Sequence, residues 1–96
     1  MPDSLPEPDE LTLLRAEMDS LNLSLRGVIQ ARARLARRIG VVKRARGLSL
    51  YDPEREGQML RALMVEPEDG LAPERLAELL AEIIAACRES ARHPDD

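Results

Sequence analysis

Aromatic side chains are all but missing from this chain of 96 residues: Tyr51 stands alone, with no Phe and no Trp. Any core must therefore be built from Leu, Ile, Val, Met and Ala, a palette that favours helices over sheets. Cysteine is equally scarce. Cys87, the only one, cannot make an internal disulfide, and no basic flank precedes an apolar N-terminal run, so a cytoplasmic location is expected. Long apolar runs are lacking too. None approaches the ~20 residues needed to span a bilayer, and no membrane association is expected. Acidic residues are absent from a whole interval: between Asp19 and Asp52 there is no Asp or Glu, while Arg26, Arg32, Arg34, Arg37, Arg38, Lys43, Arg44 and Arg46 fall there. A basic block thus sits inside a chain of formal net charge -4. A solvated helix face accounts for many such charges, so individual positions decide what the block does.

What is present is a long helical pattern. Residues 1–8 hold three prolines and little apolar content, and read as a disordered lead-in. From Asp9 onward, Leu11, Leu14, Met18, Leu21, Leu25, Val28, Arg32, Leu35, Ile39 and Val42 recur in alternating steps of three and four. That is the apolar stripe of one helix packing lengthwise on partners, with Gly47 as a plausible stop. Such a helix of roughly 37 residues is about 55 Å long, against a radius of gyration near 13 Å for a compact chain of this size. One end must project with its stripe uncovered, which predicts an intertwined or antiparallel homodimer. Bending at Gly27 or Gly40 is the alternative. Asp52-Pro53 opens a second helix, with Met59, Leu60, Leu63 and Met64 on one face and an end before Pro67. Glu66 to Leu71 reads as a turn. A third helix from about Pro73 aligns Leu76, Leu79, Leu80, Ile83, Ile84 and Cys87, and residues 93–96 should fray. The expected fold is all-α, with three helices per chain in a single domain over residues 9–92.

Arg32 occupies a stripe position where Leu or Ile is expected. A buried unpaired guanidinium would cost several kcal/mol, so it must meet a carboxylate, either the protein's own or a ligand's. Lys43 lies eleven residues further on, returning to within about 20° of the same direction some 16 Å along the helix. It is also the one lysine among 14 Lys and Arg residues, as suits a site wanting a compact ammonium. Arg15 is about 25 Å from Arg32 and rotated by roughly 100°, so it would reach the same site only from a second, antiparallel chain. Asp52, Arg55 and Glu56 cluster at the start of helix two, as a cap with its i+3 and i+4 neighbours. No His-Cys or Ser-His constellation points to nucleophilic catalysis, and no cofactor or metal is expected.

Taken together, Leu14-Arg15, Met18-Asp19, Arg32, Ile39-Gly40-Val41-Val42-Lys43 and Tyr51-Asp52-Pro53-Glu54-Arg55-Glu56 resemble the all-helical (AroQ-type) chorismate mutase family in order and spacing, over about residues 11 to 91. The resemblance implies an intertwined dimer whose two active sites are each completed by the other chain. Arg15 would enter the partner's site. Arg32 and Lys43 would hold the two carboxylates of chorismate, and Lys43 would also donate toward the ether oxygen of the breaking bond. Glu56, with the backbone around Asp52, would bind the ring hydroxyl, and Arg55 would complete the cationic wall. Rearrangement of chorismate to prephenate is unimolecular, so holding a compact conformer and stabilising charge on the ether oxygen suffices.

Helix three departs from the family. It places Cys87 where a serine is usual and Ala91 where a glutamine donates to the ether oxygen. Cys87 is a weak donor or simple core, and Ala91 donates nothing. One missing donor costs on the order of 3 kcal/mol, so weak intrinsic activity is expected. Some short members of the family are activated by docking on DAHP synthase, which is therefore a candidate partner; a reordered tail, or Arg88 or Arg92, is an alternative source of the missing donor. Three other readings compete. An isochorismate pyruvate-lyase would use the same cationic grip, and a pseudo-enzyme would keep the fold without catalysis. A nucleic-acid-binding or adaptor helix would use the basic block, but its charges are scattered around the helix and no stacking aromatics accompany them. No nucleic-acid partner is expected.

Overall fold

A computed structural model of the chain describes residues 9–92, so the lead-in expected over residues 1–8 and the fraying expected over 93–96 lie outside the described residues. The described residues are all-helical: α1 (Glu10–Ala45), α2 (Pro53–Leu63) and α3 (Pro73–Ser90), with no strand among them. The chain divides into two units, Met1–Gln30 and Ala31–Asp96.

The first unit is the opening of α1. Asp9 caps it, its Oδ1 accepting from the Thr12 backbone N–H at 2.8 Å, which satisfies one of the donors a helix start leaves open. That bond to the charged form holds the Asp9 carboxyl below its ordinary value. Leu11, Leu14, Met18, Leu21, Leu25 and Val28 are each more than half exposed in the single chain. Helical structure continues through Gly27 and Gly40, so α1 is not broken at either.

In the second unit, α1 ends as the sequence leads one to expect. Gly47 takes a positive φ of 69°. The Leu48 N–H donates to the Lys43 carbonyl at 2.8 Å and the Gly47 N–H to the Arg44 carbonyl at 3.1 Å, the paired bonds of a Schellman motif. Because glycine alone adopts this left-handed turn at little cost, the chain reverses at Gly47, one turn after Lys43. Asp52 then caps α2, accepting from the Arg55 N–H at 3.0 Å, with Pro53 in the first turn. The second helix stops at Leu63, four residues before Pro67. There the Met64 N–H tightens onto the Arg61 carbonyl, so a local turn and not the proline ends it.

Packing in this unit is narrow. Ile84, Cys87 and Ala91, at three- and four-residue steps on the same face of the third helix, are 4%, 3% and 5% exposed. Gly40 of α1 is buried, facing Ala91 and Leu50. A methyl group added at Gly40 would stand 3.2 Å from the Ala91 Cβ and 3.3 Å from the Ala91 carbonyl oxygen, so the glycine permits the end of α3 to approach α1 closely. Arg44 fastens the same joint, its Nη1 donating to the Ala91 carbonyl at 2.8 Å. Together, these contacts fix the α3 face that looks onto the last turns of α1 and the first turn of α2.

Candidate functional site

Within the second unit these elements line a small cavity of about 90 Å³ that opens to solvent. Arg32 and Lys43 come from α1, Leu50 from the reversing loop, and Asp52, Arg55, Glu56 and Met59 from the cap and first turns of α2. Ile84 and Arg88 of α3 complete the lining. Five of the residues singled out from sequence thus converge: Arg32, Lys43, Asp52, Arg55 and Glu56. They do so because Arg32 and Lys43 share a helix face, and because the glycine turn delivers the α2 N-terminus alongside that face.

Formally the wall carries four cations, Arg32, Lys43, Arg55 and Arg88, against two carboxylates, Asp52 and Glu56. The excess is two positive charges. Among the described residues the ion pairs are Arg75 with Glu78 and Arg88 with Glu56, so Arg32 meets no protein carboxylate. Its Nη2 reaches the Met59 thioether at 3.8 Å, a weak acceptor that leaves a half-buried guanidinium largely unanswered. Lys43 donates at 3.5 Å to the Leu50 carbonyl, at the outer edge of hydrogen bonding. The cations are held in place but not neutralised, an arrangement suited to a small dianion. Among the described residues no cluster of His, Cys, Asp and Glu is placed to hold a metal ion.

Arg88, considered from sequence only as one alternative donor, lies in this wall. Its Nε donates to Glu56 Oε2 at 2.8 Å with both side chains about three-quarters buried. Its guanidinium carbon stands 4.4 Å from the centre of the Tyr51 ring, within cation–π range. Arg92 is exposed and does not line the cavity; it belongs to an adjoining surface cleft with Ser49, Tyr51 and Glu89 that shares Leu50 and Arg88 with the cavity. The available signal for Arg88 was its spacing: it follows Ile84 by four residues and so shares its face.

The other candidates lie elsewhere. Cys87 is buried in the α3 core and is not among the lining residues. Ala91 packs on Gly40 and borders a void of about 40 Å³ beside Lys43, Leu50 and Arg88, so a longer side chain at this position would have little room. Arg15 is exposed on the first unit's part of α1 and does not line the cavity.

The family model described as chorismate mutase type II matches residues 14–92. The chain belongs to the type II chorismate mutase family. It is 35% identical over 88 residues to a T-protein of Enterobacter agglomerans, covering 91% of this chain and 23% of that protein. It is likewise 35% identical over 83 residues to a bifunctional chorismate mutase/prephenate dehydratase of Aquifex aeolicus, covering 82% of this chain and 23% of that protein. A T-protein of Haemophilus influenzae is 38% identical over 68 residues, 70% of this chain and 18% of the relative. The chain therefore spans about a quarter or less of the length of these relatives. The matched family residues contain the whole lining of the cavity.

Proposed function

We propose that this chain rearranges chorismate to prephenate in the cavity between Arg32, Lys43, Arg55 and Glu56. The observation that carries this reading is the pair of uncompensated positive charges in the wall, with Arg32 lacking a carboxylate partner among the described residues. Chorismate is a dicarboxylate, and its two negative charges equal that excess.

Arg32 and Lys43 each take one carboxylate, and the Lys43 ammonium also donates toward the ether oxygen as negative charge builds there. Glu56 accepts from the ring hydroxyl and a backbone N–H near Asp52 donates to it, while Arg55 closes the cationic wall. Nothing further is demanded of the protein, because the rearrangement breaks and forms bonds within one molecule. Orientation and fixed charge reach a million-fold gain, about 8 kcal/mol. The finer assignment extends to a homodimer, in which a second copy covers the exposed α1 stripe and brings its Arg15 to this site. Cys87 contributes at most a weak contact from the α3 core. Ala91 supplies no donor, so the isolated dimer is a weak catalyst and DAHP synthase is a candidate activator. A reducing cytoplasm suits the single free thiol. Of the two activities in the Aquifex relative's name, only the mutase is proposed for this chain.

The test follows chorismate loss and product identity for wild type and Arg32→Ala, each with and without DAHP synthase, and repeats the assay with isochorismate. Prephenate from wild type, with kcat/KM about 10²–10³-fold lower for Arg32→Ala, supports the assignment. Salicylate and pyruvate from isochorismate, with no prephenate from chorismate, would replace it with the lyase.

A further inference from the structure

The α2–α3 ion pair is the only one among the described residues that touches the cavity. It raises a question of competition. Glu56 lines the same small space as Arg32, Lys43, Arg55 and Arg88. An unrestrained carboxylate there would swing onto whichever cation is least satisfied. Arg55 is exposed to solvent; of the half-buried cations, Arg32, with only a thioether, and Lys43, with one long bond to a carbonyl, are the least satisfied. Glu56 paired with either would cancel a charge needed by an anionic ligand.

We propose that Arg88 is a positioning residue, holding Glu56 against α3 so that Arg32 and Lys43 stay free for the ligand. Three features equip it for this task. Its Nε makes a 2.8 Å charge-assisted bond to a single carboxylate oxygen, leaving the second oxygen of Glu56 available. Its guanidinium lies over the Tyr51 ring, which restrains it through stacking that a lysine ammonium would not reproduce in the same geometry. Its helix is pinned nearby through the Gly40–Ala91 approach and the Arg44–Ala91 bond. The ligand concerned is the dicarboxylate of the proposed reaction, so the inference rests on that assignment.

The experiment compares wild type, Arg88→Met, Arg88→Lys and the double variant Arg88→Met with Glu56→Gln. Met keeps the length of the stem over Tyr51 while removing the charge. KM for chorismate and kcat are measured for each, together with a thermal melt. Arg88→Met is expected to raise KM about tenfold because Glu56 then occupies a cation. In the double variant KM falls back at least about threefold, since a neutral amide no longer competes, while kcat drops because the carboxylate that accepts from the ring hydroxyl is gone. Arg88→Lys lies between wild type and Arg88→Met. A merely structural role would lower the melting temperature without this recovery. Should wild type turn over no chorismate, the mutase assignment has failed, and the same order is read from the calorimetric Kd of a bicyclic dicarboxylate mimic of the transition state. The proposal is overturned if Arg88→Met leaves KM or Kd within about twofold of wild type, or if the double variant binds no better than Arg88→Met. Loss of folding in both Arg88→Met and Arg88→Lys would likewise overturn it, by assigning Arg88 to structure.

Discussion

Arg32 costs the fold something and returns nothing to it in the single chain. A half-buried guanidinium with a thioether for company is poorly compensated, so its removal separates stability from catalysis. Arg32→Leu, restoring the aliphatic residue that the helix stripe expects, should leave the melting temperature unchanged or raise it, while abolishing measurable turnover. Parallel melting and chorismate assays check both halves. The residues of the wall were legible in the sequence to unequal degrees. Arg32 and Lys43 could be placed together because eleven helical steps return to the same direction. Asp52, Arg55 and Glu56 could be placed because an Asp-Pro start fixes the first turn of a helix. Arg88 could only be offered as one donor among others. The apolar face of α3 is broad, running through Leu76, Leu79, Leu80, Ile83, Ile84 and Cys87, and periodicity alone does not tell which edge meets the cavity. Tertiary packing decided it: Cys87 went into the core, and the Ile84–Arg88 edge faced the site.

Element boundaries followed local chemistry closely, and two predictions belong to the elements. The first concerns the glycines of α1. A side chain at Gly27 meets nothing within 4 Å, so Gly27→Ala should stabilise the helix by about 0.5–1 kcal/mol through reduced backbone entropy. Gly40→Val should instead destabilise by about 1–3 kcal/mol, because even the first carbon presses on Ala91. Denaturant melts of the two variants should therefore shift in opposite directions. The second concerns pH. Asp9 is held below its ordinary value by the Thr12 bond, so its contribution to the α1 start is present above the unfolded aspartate value near 4 and fades as pH falls through the lower folded value. The protection of the Thr12 amide against exchange, after correction for the intrinsic pH dependence of the exchange rate, should fall in that acid window, and Asp9→Asn should remove most of that change. The end of α2 was less legible. Pro67 only sets an outer limit, whereas the stop at Leu63 depends on a local tightening that has no proline or glycine to mark it.

At the scale of the whole molecule, the pattern of exposure governs what else must be present. Leu35, Ile39 and Val42 in the second unit are about half exposed, like the stripe residues of the first. Apolar surface on this scale calls for a partner. If the partner is a second copy that lends Arg15, two inactive variants should repair one another. Arg15→Ala and Arg32→Ala, refolded together in equal amounts, should recover roughly a quarter of wild-type activity, because half of the dimers are mixed and each mixed dimer has one intact site. Sedimentation of the wild type gives the accompanying check, and a monomer at assay concentration would remove the basis for this repair. The pattern that makes α1 long was legible in the sequence, but what covers it was not, since an apolar stripe specifies a hydrophobic partner without specifying which one.

The scarcity of aromatic residues gives the molecule a convenient property. With no tryptophan and a single tyrosine, all of its intrinsic emission comes from one phenol ring, and that ring lies in the adjoining cleft under the guanidinium of Arg88, which also lines the cavity. Any event that shifts this guanidinium changes the surroundings of the sole fluorophore. The chain thus carries an unlabelled optical reporter beside the site, against which ligand binding and the Arg88 substitutions can be followed in the same cuvette.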